Sequence, residues 1–384
     1  MAKRILHISK YYYPFHGGTE QIARECAVAL KDRCEQRIIC FNHEQGDRTD
    51  YVDGIEIIRA GCFAKMSSQS LSLSFGGLLK VVLRDFAPDM IIFHYPNPFA
   101  AHYLLRQIGA NAKLVIYWHL DIVKQVVLRK LFWLQNRRLV IRADRILATS
   151  PDYVEGSYWL SRAKEKCRVV PNGIDADRFQ RDDGTLMREA EIRKENEGKI
   201  VCLAVGRHTK YKGFTYLIQA SRYLDDRFRF YLIGEGELTD RLKKQAEGDS
   251  KIRFLGRAAD AELRAYMNAM DIFCFPSITR NEAFGLALAE AMYCGKPAVT
   301  FTIRGSGVNY VSLNGITGIE VPNRDVKAYA DALRRLADAP GLRERYGKAA
   351  RRRVEENFLA EALAENIRKE IGVPDMAISG EEGA

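Results

Sequence analysis

No apolar run in this chain of 384 residues exceeds the length of a strand. The longest, such as Val201 to Val205 and Leu114 to Trp118, fall far short of the roughly 20 residues that a membrane-spanning helix needs. Any Cys-x-x-Cys pair is missing too. The eight cysteines are scattered, and Cys40, Cys202 and Cys274 lie inside apolar, strand-like stretches, so buried free thiols in a reducing cytoplasm are expected. The start, Met1-Ala2-Lys3-Arg4 before Ile5 to Ile8, has basic flanks without the apolar core or cleavage site of a signal peptide, and reads as a first strand. The chain shows no zinc-finger spacing and no aromatic RNA-recognition motif, which removes the support for nucleic acid. Its formal charge of +10 is still compatible with a nucleotide or an anionic membrane surface.

What is present is an alternation of strands and helices, repeated twice. Arg4 to Ile8, Gln36 to Phe41, Ile55 to Arg59, Met90 to His94, Leu114 to Trp118 and Arg145 to Thr149 read as short strands, with helical patterns at Glu20 to Leu30 and Leu78 to Phe86. The second half repeats the theme at Ile200 to Gly206, Phe228 to Gly234, Ile252 to Gly256, Ile272 to Pro276 and Pro297 to Phe301. Such alternation predicts an α/β chain of two Rossmann-like, doubly wound domains. The polar stretch Asp175 to Lys199 is the expected linker, Leu342 to Ile371 the last long helical stretch, and the residues beyond Gly372 a frayed acidic tail. Open sheets of this kind bind ligands at the carboxyl ends of their strands, so two facing domains would hold one ligand on each side of a cleft. That directs attention to Tyr11 to Glu20, Gly206 to Gly213 and Ser277 to Gly285.

The third of these loops leads into Glu282-Ala283-Phe284-Gly285-Leu286 and, further on, Glu290. With a helix beginning near Phe284, the two carboxylates are roughly 12 Å apart along the chain, too far to share one proton or one metal. They suit the two ends of an elongated ligand whose negative middle faces the helix N-terminus, with Gly285 allowing close approach. A nucleotide sugar has that pattern of hydroxyls, diphosphate and ribose. Gly206-Arg207 and Lys212-Gly213 follow a strand and open a helix. Gly206 permits a tight exit, and the two cations can grip phosphate oxygens, although a solvated basic loop reads the same way in isolation. Gly17-Gly18-Thr19-Glu20 would offer backbone N–H groups from the opposite domain, a weak signal by itself. The aromatic loop Lys10-Tyr11-Tyr12-Tyr13-Pro14-Phe15-His16 suits either acceptor contact or plain packing. His119, at a strand end with Asp121 two residues on, can donate to a sugar hydroxyl or a developing charge, or be structural. Asp175 and Asp177 form a DxD pair that can hold a divalent cation, but they lie at the expected linker, away from the strand-end loops. No metal site is assigned, and Arg207 and Lys212 are left to neutralise the diphosphate.

Taken together the motifs resemble those of a retaining glycosyltransferase of family 4 with the GT-B fold. They are Gly17-Gly18-x-Glu20, Pro171-Asn172-Gly173-Ile174-Asp175, Gly206-Arg207 with Lys212-Gly213, Gly234-Glu235-Gly236, Glu282-x-Phe284-Gly285 with Glu290, and Gly315 with Gly318. The resemblance implies an acceptor domain over residues 1–175 and a nucleotide-sugar domain over 176–357, with a helix at about 358–375 crossing back. It implies that Arg207 and Lys212 stabilise the leaving diphosphate, Glu282 contacts the transferred sugar and Glu290 the ribose. Ala283 to Leu286 would lie near sugar and phosphates, His119 near a sugar hydroxyl, and no metal cofactor is expected. One departure is visible: where many members carry Gly-Gly-x-x-Glu, this chain has Gly305-Ser306-Gly307-Val308-Asn309, so Asn309 receives no site role. A similar variant occurs in members that assemble bacterial surface polysaccharides. That favours a mannosyl donor such as GDP-mannose and a lipid-linked glycan acceptor, with glucosyl, galactosyl and N-acetylglucosaminyl donors open.

Lys124 to Arg145 holds seven basic residues and one acidic, interleaved with Val126, Val127, Leu128, Leu131, Phe132, Trp133, Leu134, Leu139, Val140 and Ile141. It reads as an amphipathic helix on an anionic membrane, which would place the protein peripherally on the inner face of the cytoplasmic membrane, or as a core-packed helix with a basic outer side. Two other functions stay open: a soluble transferase with a small acceptor would share the donor motifs, and a sugar-nucleotide epimerase would use a similar two-domain scaffold.

Overall fold

The computed structural model describes residues 2–15, 17–66, 69–122 and 132–373. The Ile- and Val-rich runs form the inner strands of two sheets, and several are buried on both faces, as parallel strands flanked by helices must be. The first sheet uses β1 (Lys3–Ile8), β2 (Cys34–Phe41), β3 (Arg48–Val52), β4 (Ile55–Ala60), β7 (Met90–Tyr95), β8 (Lys113–Trp118), β9 (Arg145–Ala148) and β10 (Cys167–Val169). Their order is β10-β9-β8-β7-β1-β2-β4-β3, all parallel except β3, which runs antiparallel to β4. A small antiparallel pair, β5 (Ala64–Met66) and β6 (Gln69–Leu71), stands apart. The second sheet is wholly parallel, in the order β13-β12-β11-β14-β15-β16. Its strands are β11 (Ile200–Val205), β12 (Phe228–Ile233), β13 (Ile252–Gly256), β14 (Ile272–Phe275), β15 (Ala298–Phe301) and β16 (Gly318–Val321).

Two compact units result. The first contains the described residues up to Ala148, Trp159–Val170 and those from Glu361 on; the second contains Thr149–Tyr158 and Pro171–Ala360. The final helix, Ala360–Ile371, is anchored in the first unit. Glu370 pairs with Arg145 at 3.0 Å, and Lys3 Nζ donates to the Ile371 carbonyl at 2.7 Å. All eight cysteines are free, with Cys40, Cys202 and Cys274 buried. No helix among the described residues is long and apolar enough to cross a membrane.

Two expectations change. The stretch expected as a linker carries a helix, Asp183–Glu195, capped by Asp182, whose side chain accepts from the Thr185 amide at 2.7 Å. It belongs to the second unit, where Arg188 binds Glu262 at 3.1 Å. It buries only Thr185 and Ile192, so its sequence lacks the apolar stripe by which a helix is recognised. The long final stretch is two helices, Pro340–Asn357 and Ala360–Ile371. They are interrupted where Ile174 N–H donates to Phe358 O at 2.8 Å and Ala360 N–H donates to Ile174 O at 3.0 Å. Of the tail expected beyond Gly372, Val373 is buried and donates its amide to the Arg368 carbonyl at 3.0 Å, and the residues from 374 on lie outside the described residues.

Candidate functional site

The second sheet reverses its winding between β11 and β14, because β12 and β13 extend from one side and β15 and β16 from the other. Parallel α/β sheets bind ligands outside the carboxyl ends of the strands at such a reversal. The segments leaving β11 and β14 carry Arg207 and Lys212 on one side and Glu282 on the other. Backbone contact binds them. A Cβ at Gly213 would lie 1.9 Å from the Pro276 carbonyl oxygen, and φ there is +67°, so glycine alone fits. Beside it, Ile278 N–H donates to Tyr211 O at 2.9 Å.

This arrangement puts Lys212 Nζ 2.5 Å from Glu282 Oε2, with the two side chains only 13% and 11% exposed. The ammonium also lies 5.0 Å from the centre of the Phe275 ring. Burial pushes Lys212 toward the neutral amine, but the charge of Glu282, helped by Tyr211, outweighs it and holds the pKa above the ordinary lysine value. Ser277 Oγ donates to the same Glu282 oxygen at 3.0 Å. An ion pair this dry is a poor source of stability, because desolvation offsets most of the attraction. The pair stands beyond the carboxyl ends of β11 and β14, the end of a parallel sheet at which ligands bind.

Gly206 turns with φ +149°, and a Cβ there would sit 3.2 Å from Lys212 Cε, so the glycine lets the lysine stem lie across the turn. Arg207 is exposed, close enough to Lys212 to oppose its charge, and forms no ion pair among the described residues. The helix beyond Glu282 runs Leu286–Tyr293, starting two residues later than expected, with Gly285 at φ +97° as its N-cap. Of the N–H groups that open it, Leu288 donates back to the Gly285 carbonyl at 3.0 Å, which leaves those of Leu286 and Ala287 without an intrahelical acceptor. Phe284 is buried and turned edge-on against Phe358 at 5.4 Å, so only its backbone is available to a ligand; Ala283 and Leu286 are half-buried. Glu290 is buried, with Arg178 Nη1 3.5 Å away. Burial raises its pKa, and Arg178 opposes that rise.

Three further residues hold this loop and a fourth pairs with the helix after it, and none was assigned a role by sequence reasoning. The Ser306 hydroxyl donates to the Glu282 carbonyl, Gly307 N–H to the Ala283 carbonyl at 3.0 Å, and Thr149 Oγ1 to that same carbonyl at 3.1 Å. Arg178, in a short turn at Asp177–Phe179, is the partner of Glu290. Only the Gly305-Ser306-Gly307 departure gave a signal, and its meaning here is a clamp on the loop. Asn309 serves the same turn, accepting from Ile303 N–H at 2.8 Å and donating to Phe301 O at 3.2 Å. Asp175 accepts from the Asp177 amide at 3.0 Å and Asp177 accepts from Gln180 Nε2 at 2.5 Å, so each carboxylate serves its own turn.

In the first unit, Gly17 and Gly18 begin the helix Gly18–Val28 after β1, and His119 directly follows β8. Glu20 folds back against this helix start: a Cβ at Gly17 would meet its Oε2 at 2.3 Å. An acidic side chain thus already lies where the glycine amides were expected to face an anion. His119 is 5% exposed, and burial drives its pKa down to about 3, so the ring is neutral near pH 7. Of the aromatic loop, Tyr11 and Tyr12 are packed inside, Tyr11 with its hydroxyl 2.5 Å from Ser70 Oγ, while Tyr13 is 41% exposed beside Arg24; His16 lies outside the described residues. Of the basic segment, residues 124–131 also lie outside them. The remainder forms the helix Trp133–Arg142, which buries Leu139 and Asn136 and exposes Trp133, Leu134 and Ile141 together with Arg137 and Arg138.

Comparison with known proteins adds to this geometry. The family model described as Glycosyl transferases group 1 matches residues 187–353, and that of Glycosyltransferase Family 4 matches residues 16–178. The D-rhamnosyltransferase WbpZ of Pseudomonas aeruginosa is 30% identical over 363 residues, covering 93% of this chain and 92% of that protein. The O-antigen chain mannosyltransferase C of Escherichia coli is 29% identical over 368 residues, covering 94% and 95%. Among solved structures, sucrose-phosphate synthase from Thermosynechococcus elongatus matches 96% of this chain and 98% of its own with a TM-score of 0.78, at 19% identity.

Proposed function

The chain belongs to glycosyltransferase family 4, with its GT-B fold, and on that footing we propose that it moves a hexose from a nucleotide-diphosphate sugar to a growing, lipid-linked bacterial surface glycan. The observation that carries this reading is the Lys212–Glu282 pair beside Arg207 at the winding reversal of the second sheet. As the bond from the anomeric carbon to the diphosphate breaks, negative charge grows on the leaving oxygens. Fixed cations lower the barrier because their attraction strengthens as that charge develops. Lys212 stays protonated for this task, and Glu282, held by Ser277, keeps its ammonium in place. Glu282 also faces the sugar, Glu290 with Arg178 the ribose, and the amides from Ala283 to Leu286 the phosphates.

Glu282 is committed to Lys212 and Ser277, which makes it a poor nucleophile. Retention would then follow from attack on the leaving group's own face, with a phosphate oxygen taking the acceptor's proton and no metal required. The donor proposed is GDP-mannose, in keeping with the mannosyl transfer named for the Escherichia coli relative, and the acceptor is a surface polysaccharide chain of the O-antigen kind. The exposed apolar and basic side chains of Trp133–Arg142 suit a peripheral position on an anionic membrane, where such an acceptor resides.

The test is incubation with a panel of nucleotide sugars, with and without lipid-linked glycan, reading hydrolysis, transfer and epimerisation separately. Transfer of mannose with retained anomeric configuration is expected. Interconversion of the nucleotide sugar without any acceptor would overturn the reading in favour of an epimerase.

A further inference from the structure

Three histidines far apart in sequence line up across neighbouring strands of the first sheet. His7 lies near the end of β1, His94 near the end of β7, and His119 directly after β8. His7 Nε2 is 2.9 Å from Gln36 Oε1, His7 Nδ1 is 3.5 Å from His94 Nε2, and His94 Nδ1 is 3.0 Å from His119 Nε2. The rings of His94 and His119 stack with centroids 5.3 Å apart, 7° from parallel. All three are at most 5% exposed.

We propose that His7 and His94, anchored by Gln36, fix His119 as its Nε2–H tautomer and leave His119 Nδ1 as a hydrogen-bond acceptor for a hydroxyl of the sugar substrate. The second half of this proposal rests on the glycosyltransferase reading above.

The direction of the chain follows from its anchor. Gln36 Nε2 donates to the Ala27 carbonyl at 3.0 Å, and a carbonyl can only accept, so Gln36 must turn its oxygen to His7. That oxygen takes the proton of His7 Nε2–H. A neutral imidazole carries one N–H, so His7 Nδ1 is left with a lone pair and must accept from His94 Nε2–H. His94 Nδ1 then accepts from His119 Nε2–H, and His119 Nδ1 carries the final lone pair. The rings are neutral: burial lowers the pKa of His7 to about 4, that of His119 to about 3 and that of His94 well below the usual histidine value. No described residue hydrogen-bonds to His119 Nδ1. The chain starts at the winding reversal of the first sheet, between β1 and β7, which carry His7 and His94, and runs one strand outward to His119 at the carboxyl end of β8.

The same groups raise one competing reading. Ligand atoms of His7, Cys26 and His94 lie within 4.8 Å of one another, as around a metal ion. Burial pushes the Cys26 thiol strongly up, which keeps it protonated, and protein metal sites take the thiolate. A metal on His7 Nδ1 and His94 Nε2 would also reverse the chain. His94 Nδ1 would then carry the proton and His119 Nδ1 would become a donor.

Long-range proton–nitrogen NMR on the full chain labelled with ¹⁵N-histidine decides the tautomer without any substrate. His119 is expected with a protonated Nε2 and an unprotonated Nδ1. A protonated Nδ1, or one equivalent of tightly bound transition metal in the purified protein, would overturn the proposal. In Gln36→Met or His94→Asn, His119 is expected to populate both tautomers and kcat/KM to fall up to about tenfold, the scale of one hydrogen bond. Wild-type kinetics in a folded variant whose His119 tautomer has been released would also overturn it. Failure of the wild-type chain to transfer sugar would instead count against the glycosyltransferase reading and leave the NMR result standing.

Discussion

The hydroxyl of Ser306 donates to the main-chain carbonyl of Glu282, and the next residue, Gly307, donates its amide to the carbonyl of Ala283. The turn after β15 therefore holds the acidic loop after β14 by its backbone, leaving the Glu282 side chain to Lys212 and Ser277. Ser306→Ala should lower thermodynamic stability by about 1 kcal/mol, the scale of one hydrogen bond. It should lower kcat more than it raises the donor KM, because the loop loses register rather than charge. Urea melts and steady-state kinetics measure both. A variant with wild-type turnover would show that the clamp is structural only.

Removing one partner of the buried pair leaves the other charge stranded. Lys212→Met should cost about 3 kcal/mol of stability and at least about 100-fold in turnover. The double variant Lys212→Met with Glu282→Gln should recover much of the stability and none of the turnover. Stability that is additive across the two substitutions would contradict direct pairing.

The buried histidines set a direction for pH dependence. The unfolded chain takes up protons below about pH 6.5, the ordinary histidine value, while folded His7 and His119 resist protonation down to about 4 and about 3. Their contribution is fully present above about pH 6.5 and is lost as pH falls from there through the folded values. Each depressed histidine steepens the loss by about 1.4 kcal/mol per pH unit. Urea midpoints at pH 7 and pH 5 check this, and His119→Asn should shrink the difference. Equal midpoints at the two pH values in the wild type would contradict it.

Exposed Trp133, Leu134 and Ile141 with Arg137 and Arg138 should give salt-sensitive binding to anionic vesicles. Co-sedimentation at low salt, reduced by Trp133→Ser together with Leu134→Ser, is the expected outcome. Absence of co-sedimentation at low salt would exclude membrane contact by this helix.

Much of this was legible in the sequence, and the exceptions have physical causes. Ile- and Val-rich runs announced the inner strands because both of their faces are buried. Short edge elements such as β3 and β10 bury too little to leave a pattern. The helix Asp183–Glu195 is held by Arg–Glu pairs rather than an apolar face, so it read as a linker. Lys212 and Glu282 were recognisable because each follows a strand within a distinctive motif. Arg178 and Thr149 are single polar residues with no local pattern, and only the folded chain brings them to this loop and the helix after it. The histidine chain is of the same kind: His7, His94 and His119 become neighbours only because β1, β7 and β8 are adjacent.

The most direct measurement is calorimetric titration of a guanosine diphosphate and of the bare nucleoside into the wild type, Arg207→Ala and Lys212→Ala. Arg207 is exposed and unpaired among the described residues, so its removal should leave stability within about 0.5 kcal/mol. Diphosphate affinity is expected to fall at least about tenfold in each variant while nucleoside affinity holds, since a charge-assisted contact to phosphate is lost. Equal diphosphate affinity in all three folded proteins would contradict a diphosphate site at Arg207 and Lys212.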